Sequence, residues 1–131
     1  MKSLIVGILS AWLLLSSAQA QESGWATYYT KESCQRGGLS GVYTASGEVF
    51  DESAPTCARR SHRFGSKYIV TNIETGESVI VRHNDFGPER RLYKKGYIID
   101  LSPAAFKKLA PLKKGRIKVR VSPVANNGRW N

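Results

Sequence analysis

In GRIKVRVS, residues 115 to 122, Ile117, Val119 and Val121 alternate strictly with Arg116, Lys118 and Arg120. A period of two puts the apolar side chains on one face of an extended chain and the cations on the other, so this segment is a strand with one wet face. Four further runs rich in β-branched and aromatic residues read the same way: GWATYY (24 to 29), KYIVTN (67 to 72), ESVIVRH (77 to 83) and GYIIDLS (96 to 102). Helix is scarce. Ser102 and Pro103 stand as N-cap and first helical residue of SPAAFKKLA, a short helix expected to bury Ala105, Phe106 and Leu109. The segment from Thr30 to Ser66, with Gly37, Gly38, Gly41 and Gly47, reads as loop. Short strands with one helix between them leave exposed edges unless the sheet closes, so the expected fold is mainly β, a small closed barrel.

The first twenty residues lie outside that pattern. Lys2 precedes the apolar run LIVGILSAWLLL, and SSAQA ends in small residues at Ala18 and Ala20, the composition of a cleavable signal peptide. The apolar run is shorter than the roughly 20 residues that span a bilayer, so no stable membrane anchor is expected after cleavage. The expected organisation is a signal peptide at 1 to 20, one domain at 21 to 123 and a flexible tail at 124 to 131.

Export changes the meaning of cysteines and charge. Cys34 and Cys57 are the only cysteines. In an oxidising compartment they are expected to form a disulfide. A zinc site from Cys34, Cys57, His62 and His83 lacks any compact ligand spacing, and neither metal nor cofactor is expected. The formal net charge is +10, and from Arg90 to Arg120 the only acid is Asp100. Behind a signal peptide such a surface meets acidic envelope polymers and not nucleic acid, or it serves only as a solvated face.

GWATYY, TASGEVFD, GSKYIVTNIETGESVIVRHNDFGP and YIIDLSPAAFKKLA stand in an order and spacing that resemble the rare lipoprotein A family of septal ring lytic transglycosylases. The resemblance runs from about Gly24 to Val121. It implies a six-stranded double-psi β-barrel related to expansins and barwin, acting as a monomer on peptidoglycan glycan strands. It also implies cleavage between N-acetylmuramic acid and N-acetylglucosamine without water, leaving a 1,6-anhydro sugar.

Cutting a glycosidic bond takes a proton donor for the leaving oxygen and negative charge near an oxocarbenium-like centre, both of which carboxylates supply. By the resemblance, Asp85 falls at the family's catalytic aspartate and Glu48 at its second functional position. Asn84 is placed to orient groups beside Asp85, and Tyr28 to meet a sugar. Arg59 stands where the family has a histidine. It can bind a carboxylate or a sugar hydroxyl but cannot exchange a proton near neutral pH. His62 and His83 are nearby imidazoles. Asp100 reads as a structural group tying its strand to neighbouring backbone. A non-catalytic wall-binding or wall-loosening module of expansin or barwin type is the alternative function.

Overall fold

A computed structural model describes residues 21–36, 43–61 and 63–125. The segment read as a signal peptide, residues 37–42, His62 and the tail beyond residue 125 lie outside the described residues. The elements in chain order are β1 (Glu22–Tyr28), α1 (Lys31–Arg36), β2 (Thr56–Ala58), β3 (Lys67–Asn72), β4 (Ser78–Asp85), α2 (Arg90–Tyr93), β5 (Tyr97–Leu101), α3 (Pro103–Leu109) and β6 (Ile117–Pro123), with a 3-10 turn at Leu112–Lys114. The six strands close into a barrel in the order β1-β5-β2-β4-β3-β6. Two neighbouring pairs, β1 with β5 and β2 with β4, run parallel, and the others run antiparallel.

The five strands expected from patterning are present, and β6 shows the alternation most plainly: Ile117, Val119 and Val121 are buried while Lys118 and Arg120 are exposed. Their side chains join Ala26, Val70, Val81, Ile99 and Leu101 in one core. α3 begins as expected. The Ser102 hydroxyl accepts the Ala105 N–H and donates to the Ala54 carbonyl at 2.6 Å, and Ala105, Phe106 and Leu109 are buried.

Two elements fall inside the segment read as loop. β2 is only Thr-Cys-Ala, and all three residues are buried, so it has no wet face and no alternation to reveal it. α1 opens on a reciprocal cap in which the Ser33 N–H donates to Thr30 Oγ1 at 3.1 Å and the Thr30 N–H donates to Ser33 Oγ at 2.9 Å. That pairing satisfies donors that a helix start otherwise leaves orphaned.

Backbone proximity sets one strict sequence requirement. A Cβ on Gly24 would lie 2.5 Å from the Gly96 carbonyl oxygen and 2.8 Å from Ile98 Cγ2, so even a methyl group must push β1 away from β5. Gly24→Ala is expected to destabilise the barrel by about 1–3 kcal/mol, the usual cost of overpacking. Denaturant unfolding checks this; an unchanged midpoint would mean that β1 and β5 separate locally without loss.

Candidate functional site

Short β2 brings together two aspartates distant in sequence. Its Ala58 pairs with Asp85 of β4 on one side and with Asp100 of β5 on the other. Their Cα atoms are therefore two strand spacings apart, roughly 10 Å. Asp85 ends β4, and its Oδ1 accepts the N–H groups of Ala45 at 3.0 Å and Phe86 at 2.9 Å. Asp100 is tied to the neighbouring strand, where its Oδ1 accepts the hydroxyl of its register partner Thr27 on β1. The partner is thus a side chain and not the backbone expected from sequence. The turn after Asp85 closes over Asp100: a Cβ on Gly87 would sit 3.1 Å from Asp100 Oδ2, and Gly87 has φ +147°. Both the conformation and the close approach exclude a side chain there. Arg60 Nη1 holds this turn by donating to the Pro88 carbonyl at 3.1 Å.

Burial pushes the Asp100 carboxyl above the ordinary aspartate range; the Thr27 hydroxyl opposes that shift and the Asp85 charge adds to it. Asp100 is therefore well placed to hold a proton. Tyr29 adds a third group. Its ring stacks on Phe50 at 4.6 Å between centroids, with 15° between the planes. Its buried hydroxyl has no hydrogen-bond partner among the described residues. Burial first, then the charge of Asp85 and lesser contributions including Asp100, holds the phenol protonated. It is a donor left without an acceptor among the described residues. Tyr28, the tyrosine expected to meet sugar, packs instead on Phe106 at 4.9 Å against the core.

Glu48 is anchored by cations and amides. Its Oε1 and Oε2 accept Arg82 Nη1 and Nη2 at 2.5 and 2.7 Å, and Asn84 Nδ2 donates to Oε2 at 3.2 Å. The Arg82 hydrogen bonds hold the Glu48 carboxyl below its usual range against a small opposing effect of burial. Glu48 is thus a fixed carboxylate that straps the turn carrying Ala45 onto β4. Asn84 Oδ1 is buried with no partner among the described residues.

Arg59 binds a carboxylate, one of its two expected uses, and that carboxylate belongs to β1. Its guanidinium lies 4.5 Å from the Tyr68 ring centroid and Nη2 pairs with Glu22 Oε2 at 2.5 Å, while its backbone N–H donates to the Asp85 carbonyl at 3.1 Å. It joins barrel strands and fixes β4 by its main chain. His83 is fully buried, with Nδ1 3.2 Å from the Arg63 carbonyl and Nε2 2.8 Å from that of Asp85. The two cysteines correct the expected disulfide. Both are free thiols, with Cys57 buried in the core on β2 and Cys34 half-buried on α1. A disulfide needs Cβ atoms about 3.8 Å apart, and Cys57 is committed to strand packing. Burial pushes its thiol up to about 12.

Asp100, read from sequence as a structural group, and Tyr29, given no part there, are the two residues that the geometry adds to the candidate site. Each carries a faint signal: a carboxylate inside the apolar run YIIDL, and a second tyrosine pointing opposite to the first in an alternating strand.

Residues 21–121 match the family model described as Lytic transglycolase. The chain is 38% identical over 108 residues to the probable endolytic peptidoglycan transglycosylase RlpA of Nostoc sp., covering 82% of this chain and 27% of that protein. It is 36% identical over 103 residues to the endolytic peptidoglycan transglycosylase RlpA of Vibrio cholerae, covering 79% and 35%. The chain thus spans about a third or less of the length of these curated relatives. A mutant expansin of Clavibacter michiganensis, solved in complex with cellohexaose, superposes with a TM-score of 0.60 over 84% of this chain and 53% of that one, at 21% identity. That is a likeness of fold, the double-psi β-barrel. The family match takes in β1 to β5 and β6 as far as Val121, with both aspartates inside it, and the chain belongs to the lytic transglycolase family.

Proposed function

We propose that this is an exported, peptidoglycan-active lytic transglycosylase that cuts between N-acetylmuramic acid and N-acetylglucosamine, with Asp100 and Asp85 as its working pair. The observation that carries the reading is the unequal environment of two carboxylates flanking Ala58: one buried and pushed toward its protonated form, the other pinned through one oxygen by two N–H groups. Environments that separate two carboxylates in this way assign acid and charge-stabilising roles. Family membership and peptidoglycan-acting relatives supply the substrate class.

In this reading the Asp100 carboxyl gives its proton to the glycosidic oxygen as the bond from that oxygen to C1 of the N-acetylmuramic acid breaks. Asp85 holds negative charge beside the cation developing at C1. The sugar's own C6 hydroxyl attacks C1 and returns its proton to Asp100, so the ring closes to a 1,6-anhydro end and the acid is regenerated. No water enters. The Tyr29 hydroxyl, free to donate, fixes a substrate oxygen beside the pair. Arg59 has a scaffolding part, and Glu48 acts by holding the Ala45 turn and hence Asp85. The N-terminal segment directs the protein to the envelope.

Purified sacculi incubated with the mature protein test the proposal: soluble glycan fragments should appear with time. Tyr29→Phe, which removes a single oxygen that has no partner among the described residues, is expected to lower kcat/KM about tenfold with an unchanged melting temperature. Full activity in Tyr29→Phe would remove the phenol from the mechanism.

A further inference from the structure

Large apolar side chains cluster at the surface close to Asp85. Phe86 is 49% exposed and Phe64 37%, and their rings meet at 4.8 Å with 48° between planes. An exposed apolar patch beside a polar site marks a binding surface.

We propose that Phe86 and Phe64 form a sugar-stacking subsite, in which the apolar C–H face of one pyranose ring of the glycan strand lies on the Phe86 ring next to the bond to be cut. This deepens the transglycosylase reading and rests on it for the identity of the glycan. Three features fit a sugar. First, the platform is coupled to the reacting centre, because the Phe86 N–H donates to Asp85 Oδ1 at 2.9 Å, so a ring seated on Phe86 is registered against that carboxylate. Second, the platform is stiff. Phe64 packs on the buried His83 ring at 5.1 Å, and its loop is fastened on both sides, by the Gly65 N–H to the His83 carbonyl at 2.8 Å and the His83 N–H to the Ser66 carbonyl at 2.9 Å. Third, the patch is small. Two phenyl groups offer at most about 150–250 Å² each, far below the roughly 800 Å² per partner of a stable protein interface. Asp85 and Arg63, the chain neighbours of Phe86 and Phe64, suit the hydroxyl rim of a sugar.

The test measures binding to purified sacculi in an Asp85→Asn background, where turnover does not consume the ligand. Phe86→Leu and Phe86→Ala are each expected to weaken binding about five- to tenfold, the scale of one aromatic contact, while Phe86→Trp binds at least as well as Phe86. Leucine separates stacking from general apolarity. If Phe86→Leu binds as well as phenylalanine, or Phe86→Trp as poorly as alanine, the subsite is wrong. Should a Phe86 variant fail to fold, Phe64→Leu, which removes the ring buttressing the platform, carries the same expectation. The two readings fail separately. Phenylalanine-dependent binding without any glycan cleavage by the parent protein keeps the subsite and removes the enzyme; cleavage with binding indifferent to both phenylalanines does the reverse.

Discussion

Asp85→Asn is expected to lower formation of 1,6-anhydro ends by about 10²- to 10³-fold, the scale of losing one preorganised electrostatic contact to the transition state. The fold should hardly notice. Asp85 Oδ1 accepts from Ala45 and Phe86, and an asparagine Oδ1 accepts the same two N–H groups. The turn strapped by Glu48 and Arg82 should stay docked, and retention on sacculi should persist. Product analysis with a melting curve separates the two effects. A fall in activity matched by a collapse of the melting temperature would turn Asp85 into a structural turn residue.

Asp100→Asn is expected to be at least as damaging to activity, by roughly a hundredfold or more, yet neutral or favourable to stability. The sign follows from the direction of the shift. Burial raises the Asp100 carboxyl above its ordinary value, so the folded state prefers the protonated form. Its contribution to stability is fully present below the unfolded value of about 3.9 and declines as pH rises from there through the raised folded value. At neutral pH the native protein carries that cost, and asparagine, uncharged and still able to accept from Thr27, does not. Activity should follow the same group: the wild-type rate falls as pH climbs through the elevated Asp100 value, and the limb disappears in the variant along with the rate. An Asp100→Asn protein that cuts glycan normally would return the proton-donor role to another group. A variant that loses both activity and stability would mark Asp100 as a strut.

How far the site could be read from sequence depended on whether each residue's surroundings are local. β6 is legible because one face is wet; β2 is not, because a three-residue strand buried on every side has neither length nor period. Asp85 is legible because its turn and its motif lie within a few residues of it, although one of its two N–H partners, Ala45, comes from forty residues away. Asp100 sits in as distinctive a motif, but what raises its carboxyl is burial as the barrel closes, and its neighbours there, Thr27 from 73 residues away and the Gly87 turn, are remote in sequence. The Cys34 and Cys57 expectation failed for a related reason. Compartment and number argue for a disulfide, yet the fold commits Cys57 to the core of β2. Arg59 shows the same limit: its spacing from Glu48 matches the family, and only the barrel reveals that its guanidinium is taken by Glu22 and Tyr68.

Cleavage in heavy-oxygen water tests most directly whether the carboxylate pair turns a sugar hydroxyl, and not water, onto the broken bond. Purified glycan strands are incubated with the mature protein in labelled solvent and the new ends are weighed by mass spectrometry. New ends lighter by one water than hydrolytic ends and free of label are the expected result, with Asp85→Asn and Asp100→Asn yielding almost none. Labelled reducing ends would make the protein a hydrolase, and intact strands bound to active-looking wild type would leave the barrel a wall-binding module; either outcome contradicts the assignment.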